Sequence, residues 1–125
     1  MVINEVQTEI YKVASALVPN VYDEVDEDIK FPCILIGDIY IEQTATKVEE
    51  YKYSFDLSIY SIKSGKKESN AIADNLSKGL KDLKGTVLKK FFEIDSVTIP
   101  SINVYKAETC FRADVKVDLE VVEII

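Results

Sequence analysis

Tyr51–Lys63, reading YKYSFDLSIYSIK, decides how the rest of the chain is arranged. Tyr51, Tyr53, Phe55, Leu57 and Ile59 take its odd positions, and Lys52, Ser54, Asp56 and Ser58 alternate with them before Tyr60. Apolar and polar residues alternating with period two mark a strand with one face buried and one face wet. Phe55 and Leu57 are therefore expected in the core. The strand is long, and the other strands need it as a neighbour.

A helix is expected directly after this strand. Ile72, Leu76, Leu80 and Leu83 line one face with Ala73 beside them, the spacing of an amphipathic helix. Ser64 and Gly65 stand where its cap belongs, with Glu68 just behind. Gly79 inside it costs about 1 kcal/mol relative to Ala, which close packing on the sheet would recover. Lys81 and Lys84 suit its C-terminal end, and Gly85 is placed as the residue just past it.

Before the strand, Phe31-Pro32 opens another, Cys33–Ile41, with Gly37-Asp38 marking a bulge or kink. Ile34, Leu35 and Ile36 make part of it apolar on both faces. Glu42 to Glu50 is polar and has neither Gly nor Pro. It reads either as a long hairpin tip or as both strands continuing away from the body. As an arm it offers Glu42, Gln43, Thr44, Thr46, Lys47, Glu49 and Glu50 as candidate contacts with neighbouring subunits; a merely mobile loop is the equal alternative.

At the N-terminal end, Ile3, Val6, Ile10, Val13 and Leu17 recur every three to four residues, predicting a helix over 3–17 that Pro19-Asn20 ends. Val21-Tyr22 begins a short extended piece. The acidic run Asp23, Glu24, Asp26, Glu27 and Asp28 lacks the spacing and the Gly of a calcium loop and reads as a solvated loop. Val87–Ile94 fits a short helix or a connector. Val97–Tyr105 reads as a strand interrupted at Pro100-Ser101.

The last strand is the clearest: Phe111, Ala113, Val115, Val117, Leu119 and Val121 face in, while Arg112, Asp114, Lys116, Asp118 and Glu120 face out. The outward charges alternate in sign through Asp118, so they pair across strands and keep that face soluble. The order helix, strands, helix, strands predicts an α+β fold. It is a two-layer sandwich, a mostly antiparallel or mixed sheet with two helices packed on one face. At 125 residues the chain is expected to form a single domain, 1–125.

Composition narrows the function. Fifteen basic against 22 acidic residues give a net charge of −7, which opposes general nucleic-acid binding. Arg112 is the one arginine, and base readers favour arginine. There is no histidine, which removes Ser-His, Cys-His and most metal-ligand sets. Cys33 and Cys110 have no zinc or redox spacing and read as small packed residues. Ser64-Gly65-Lys66-Lys67 fails as a phosphate-binding loop, because Tyr60 stands where the first Gly belongs and Lys67 where Ser or Thr must hold magnesium. Seven tyrosines spread over strands read as sheet packing. No catalytic residue, metal or cofactor is expected. The opening MVINEVQTEI lacks a basic region and a long apolar core, so no secretory signal is expected, and no apolar run reaches membrane-helix length.

Taken in order, several blocks resemble the tail terminator, or tail-completion, proteins of long-tailed bacteriophages and phage-derived particles. They are the short first helix, VYDEVDEDIKFPCILIGD (21–38), YSFDLSIYS (53–61), the helix carrying SNAIADNLSKGL (69–80), and the closing strand with Arg112 and Asp118-Leu119. Residues 84–107 fit the pattern least. The resemblance implies a structural virion protein made in the host cytoplasm and placed at the head-proximal end of the tail. There it would form a ring, usually of six copies, that caps the tail tube and joins the head. Its implied partners are other copies of itself, the tail tube protein, and sheath or neck proteins. DNA would only pass through, and no membrane or catalysis is involved. Within such a ring Asp114, Asp118 and Glu120 are the candidate channel acids, with the 23–28 loop as the other. The competing readings are a neck or head-completion adaptor of the same particle and a small-molecule-binding α+β domain.

Overall fold

The computed structural model describes residues 1–24, 28–46, 48–62 and 65–124. Helix α1 is Ile3–Leu17, strand β1 Asn20–Tyr22, β2 Cys33–Gln43, β3 Tyr51–Ser61, helix α2 Lys67–Lys81, β4 Val87–Leu88, β5 Phe92–Lys106 and β6 Phe111–Glu123. The six strands form one sheet in the order β1-β2-β3-β6-β5-β4. Only β1 and β2 run parallel; the other neighbours are antiparallel. The sheet curls into a half-barrel, as right-handed strand twist and the bulges in β2 and β5 favour.

β3 and β6 lie at the centre, and their alternation sets the two faces. Tyr53, Phe55, Leu57 and Ile59 pair with Leu119, Val117, Val115 and Ala113, and all eight are buried. Val6, Ile10 and Ala14 of α1 and Ala73, Leu76 and Leu80 of α2 cover that face, so both helices lie on one side. The predicted core positions Phe55, Leu57 and Val117 are at most 1% exposed. The burial is accompanied by one internal polar anchor: the amide of Val2 donates to the Tyr53 hydroxyl over 3.0 Å. Because Val2 has no side-chain cap, this bond ties the start of α1 to the sheet.

Several local expectations are corrected. α2 begins at Lys67 behind Lys66, which makes no side-chain cap bond; Ser64 lies outside the described residues. Ser69 does not cap but donates to the Lys66 carbonyl, and the Ser61 hydroxyl, on β3, donates to Glu68. The helix ends at Lys81, so Gly85 is not its terminator. Gly85, with φ +91°, closes the following turn and donates to the Ile94 carbonyl. Gly79 packs against α1, not the sheet: a Cβ there would stand 2.7 Å from Val13 Cγ1.

The ambiguous 87–94 segment is a small hairpin. Val87 and Leu88 pair with Glu93 and Phe92 around a turn in which Lys89 and Lys90 adopt φ of 50° and 69°. Sequence reasoning looks for Gly or Asn at such angles, which is why two lysines hid the turn. Gly37-Asp38 does form a bulge, the register shifting between Ile36 and Ile39. Gly37 is required there, because a Cβ would meet the Asp56 carbonyl oxygen at 2.9 Å. Pro100 bends β5 without breaking it: the strand continues through a shift between Thr98 and Ser101.

Candidate functional site

The helix-free face of the sheet is built by the even-numbered side chains of β3 and β6. Ser58, Asp56, Ser54 and Lys52 stand opposite Asp114, Lys116, Asp118 and Glu120. At one end of this face Arg112 lies between two tyrosine rings, its guanidinium 4.9 Å from the Tyr60 centroid and 5.9 Å from that of Tyr105. Its Nε donates to Asp114 Oδ1 over 2.8 Å, and the Tyr105 hydroxyl donates to Asp114 Oδ2 over 2.9 Å. Ser58 Oγ also donates to Asp114 Oδ1, and Arg112 Nη2 donates to Ser58. Partial burial alone would raise the Asp114 pKa, but the hydrogen bonds from Arg112, Tyr105 and Ser58 outweigh it and hold the carboxyl below its ordinary value. Burial likewise works against the Arg112 charge, and the Asp114 carboxylate more than restores it. The group is a closed network whose charges satisfy one another.

Farther along the same face the bulge of β2 at Gly37-Asp38 and that of β5 at Pro100 frame an open trough of about 320 Å³. Asp38 and Tyr40 from β2, Asp56 from β3, Pro100 from β5, and Lys116 and Asp118 from β6 line it. Three carboxylates against one ammonium make it acidic. The three predicted channel acids therefore stand in different settings. Asp118 lines the trough, Asp114 belongs to the arginine network, and Glu120 accepts a long 3.4 Å bond from Ser96. Asp38 and Asp56 join Asp118 only in the folded chain, and nothing in their sequence spacing signals it. Of the 23–28 loop, 25–27 lie outside the described residues.

The arm combines the two readings left open for it. Glu42 and Gln43 are the last residues of β2, paired with Lys52 and Tyr51. Beyond them the tip closes on itself: the Thr44 amide and hydroxyl both donate to the Glu50 carbonyl, and Glu50 donates to Val48. The side chains of Gln43, Thr44 and Glu49 are exposed, Thr46 is exposed as well, and Lys47 lies outside the described residues. Val48 is 55% exposed. The sheet register carries this tip to the end of the molecule where Phe91 accepts from Ile124, and Phe91, Val87 and Ile124 are also exposed there. These exposed apolar side chains come from three separate segments, so sequence reasoning did not bring them to one end of the molecule.

Burial, and secondarily Cys110, push the Cys33 thiol up to about 11, so it is protonated at neutral pH and a poor nucleophile or ligand. Both cysteines are unpaired. Among the described residues no cluster of three metal-ligating side chains occurs, and no helix is long and apolar enough to cross a membrane.

A sheet with one face under two helices, an acidic bare face and a projecting hairpin is a scaffold for contacts. The family comparison identifies which. The profile of the tail completion protein gp17 family matches residues 11–122. The chain belongs to that family. This tail completion protein also shares its fold with a chain in the virion of a native gene transfer agent particle. The two are 20% identical with a TM-score of 0.77, and the match covers 98% of each chain. A second solved structure, 11% identical, aligns with a TM-score of 0.55 over 100% of this chain and 97% of the other. No individually curated protein matches. The tail completion protein is thus a structural component of a phage-type tail and resides in the virion.

Proposed function

We propose that this tail completion protein closes into a ring on the head-proximal end of the tail tube, ends tube growth, and presents the surface that the head joins. The family match over residues 11–122 is the observation that carries this reading. Six copies are the number that the family resemblance implies. The physical reason is closure: a ring that closes consumes its own head-to-tail interface, whereas an open contact continues as a filament. The role is mechanical, with no catalytic step. The neighbours are the tube protein on one side and neck or sheath proteins on the other, and the arm, with the exposed apolar side chains at the same end of the molecule, is the surface offered to them.

DNA has to pass through such a ring. The acidic trough of Asp38, Asp56 and Asp118 is the surface best suited to line the passage, since carboxylates repel phosphates and leave DNA unbound. Electron microscopy of purified tails tests the reading. A ring of this chain, identified by an antibody or fusion tag, is expected at the head-proximal end only. Label on the head portal with tube ends bare would instead make the protein a neck adaptor.

A further inference from the structure

The sheet has two open edges, and they are matched. On one side β1 covers β2 only at Cys33, Ile34 and Leu35. On the other, β4 covers β5 only at Phe92 and Glu93, with the preceding turn bonding Ile94. Among the described residues no backbone group bonds to the outer edge of β2 from Ile36 to Glu42, or of β5 from Ser96 to Ile102. Following the register across the sheet, Ile36 lies level with Leu57, Val115 and Ile102, and Glu42 with Lys52, Glu120 and Ser96. The open window of β2 thus lies at the same height as this stretch of β5, whose edge stays open beyond it to Lys106, and each stretch exceeds the ordinary strand of about 5–6 residues.

One bulge on each edge matches too. The extra residue of β2 falls between Ile36 and Ile39, opposite Asp56, and one of the two in β5 falls between Thr98 and Ser101, opposite Val117; the other lies between Ile94 and Ser96, at the end of the window. Asp56 and Val117 stand in adjacent rows of the β3–β6 pair. A bulge on an edge normally blocks pairing with a regular strand. Two bulges at one height let the pairing resume in register on either side.

We propose that copies of this chain join by adding the β5 edge of one to the β2 edge of the next, making one continuous sheet around the ring; this rests on the ring reading above. Strand directions alternate from β2 through β3 and β6 to β5, so the next β2 arrives antiparallel to β5 and the alternation continues unbroken. The occupant is a second copy because only a copy satisfies both edges at once. A foreign strand would pair one and leave the other open, and a two-fold β5–β5 joint would leave every β2 edge unpaired. The trough of each copy then sits beside that of its neighbour, and Tyr40, 66% exposed in the single chain, comes next to Thr98.

Cross-linking in assembled tails tests this. Tyr40→Cys and Thr98→Cys are placed on separate chains in a Cys110→Ser background; Cys33 stays, since it is buried and protonated. Both changed positions are exposed, so folding is spared. Tails are assembled with each chain alone and with an equal mixture, then treated with a bis-maleimide spanning about 8 Å, the reach of opposite and diagonal cross-strand pairs. Covalent dimers are expected from the mixture at least tenfold above either chain alone. Dimers from Thr98→Cys alone would mean a two-fold joint and overturn the proposal. Rings that yield no dimer in any arm would overturn it while leaving the ring reading intact. Tails that carry no ring would overturn both.

Discussion

Arg112 shows how much of the outer face is settled by single side chains. Held between Tyr60 and Tyr105 and bound to Asp114, it makes one end of that face rigid and electrically quiet. Asp114 has a depressed pKa in the folded chain, so it adds stability above the ordinary carboxylate value of about 3.9 and loses it as pH falls through the lower folded value. At 36% side-chain exposure solvent screens part of the interaction, and Asp114→Asn should cost about 1 kcal/mol at pH 7. Urea titrations at pH 7 and pH 2 should show the gap between variant and parent closing at the lower pH. Equal gaps at both would mean that the charge contributes nothing. Under the helices the expectation is larger: Phe55→Ala removes a side chain that is 1% exposed and should cost about 3–5 kcal/mol, read as a shift in denaturation midpoint. A loss under about 1 kcal/mol is the range of surface changes and would put the wrong face inward.

Among the elements, strands that alternate cleanly were legible and those that depend on partners were not. β3 and β6 could be read residue by residue, because one face meets helices and the other water. α1 was likewise evident from its single apolar stripe. The β4–β5 hairpin was hidden because Lys89 and Lys90 hold angles usually left to Gly. The trough was hidden because it draws on four strands, and the open edges because register is a property of pairs. Gly79 signals close packing in the sequence, but only the fold shows that its partner is α1 and not the sheet. Gly79→Ala ordinarily adds about 1 kcal/mol to a helix, but here its methyl would collide with the stiff Val13 side chain. Forcing the helices apart costs about 1–3 kcal/mol, so a net loss is expected, turning to a gain in a Val13→Ala background. Additive effects in that cycle would show that the helices do not meet at this point. The arm gives an independent prediction. Its tip bonds mainly to itself, so replacing Thr44–Glu50 with Asn-Gly should leave the melting temperature within a few degrees while reducing assembled tails at least tenfold. Loss of folding in circular dichroism would make the tip part of the sheet body.

At the level of the whole molecule, the features converge on assembly. In the proposed ring a net charge of −7 repeated around an axis would keep DNA from sticking, two bare edges would take neighbours, and the exposed apolar side chains at the arm's end of the molecule would meet another protein. Under the proposed function this chain ends tail growth, and the length of tails made without it reports on that role. Removing the gene from its particle cluster and measuring tails by electron microscopy should give a broad distribution extending beyond the parental length, with tube ends that do not join heads. Complementation with the intact chain should restore one sharp length. Tails of parental length in the deletion strain, whether or not heads attach, would contradict the account.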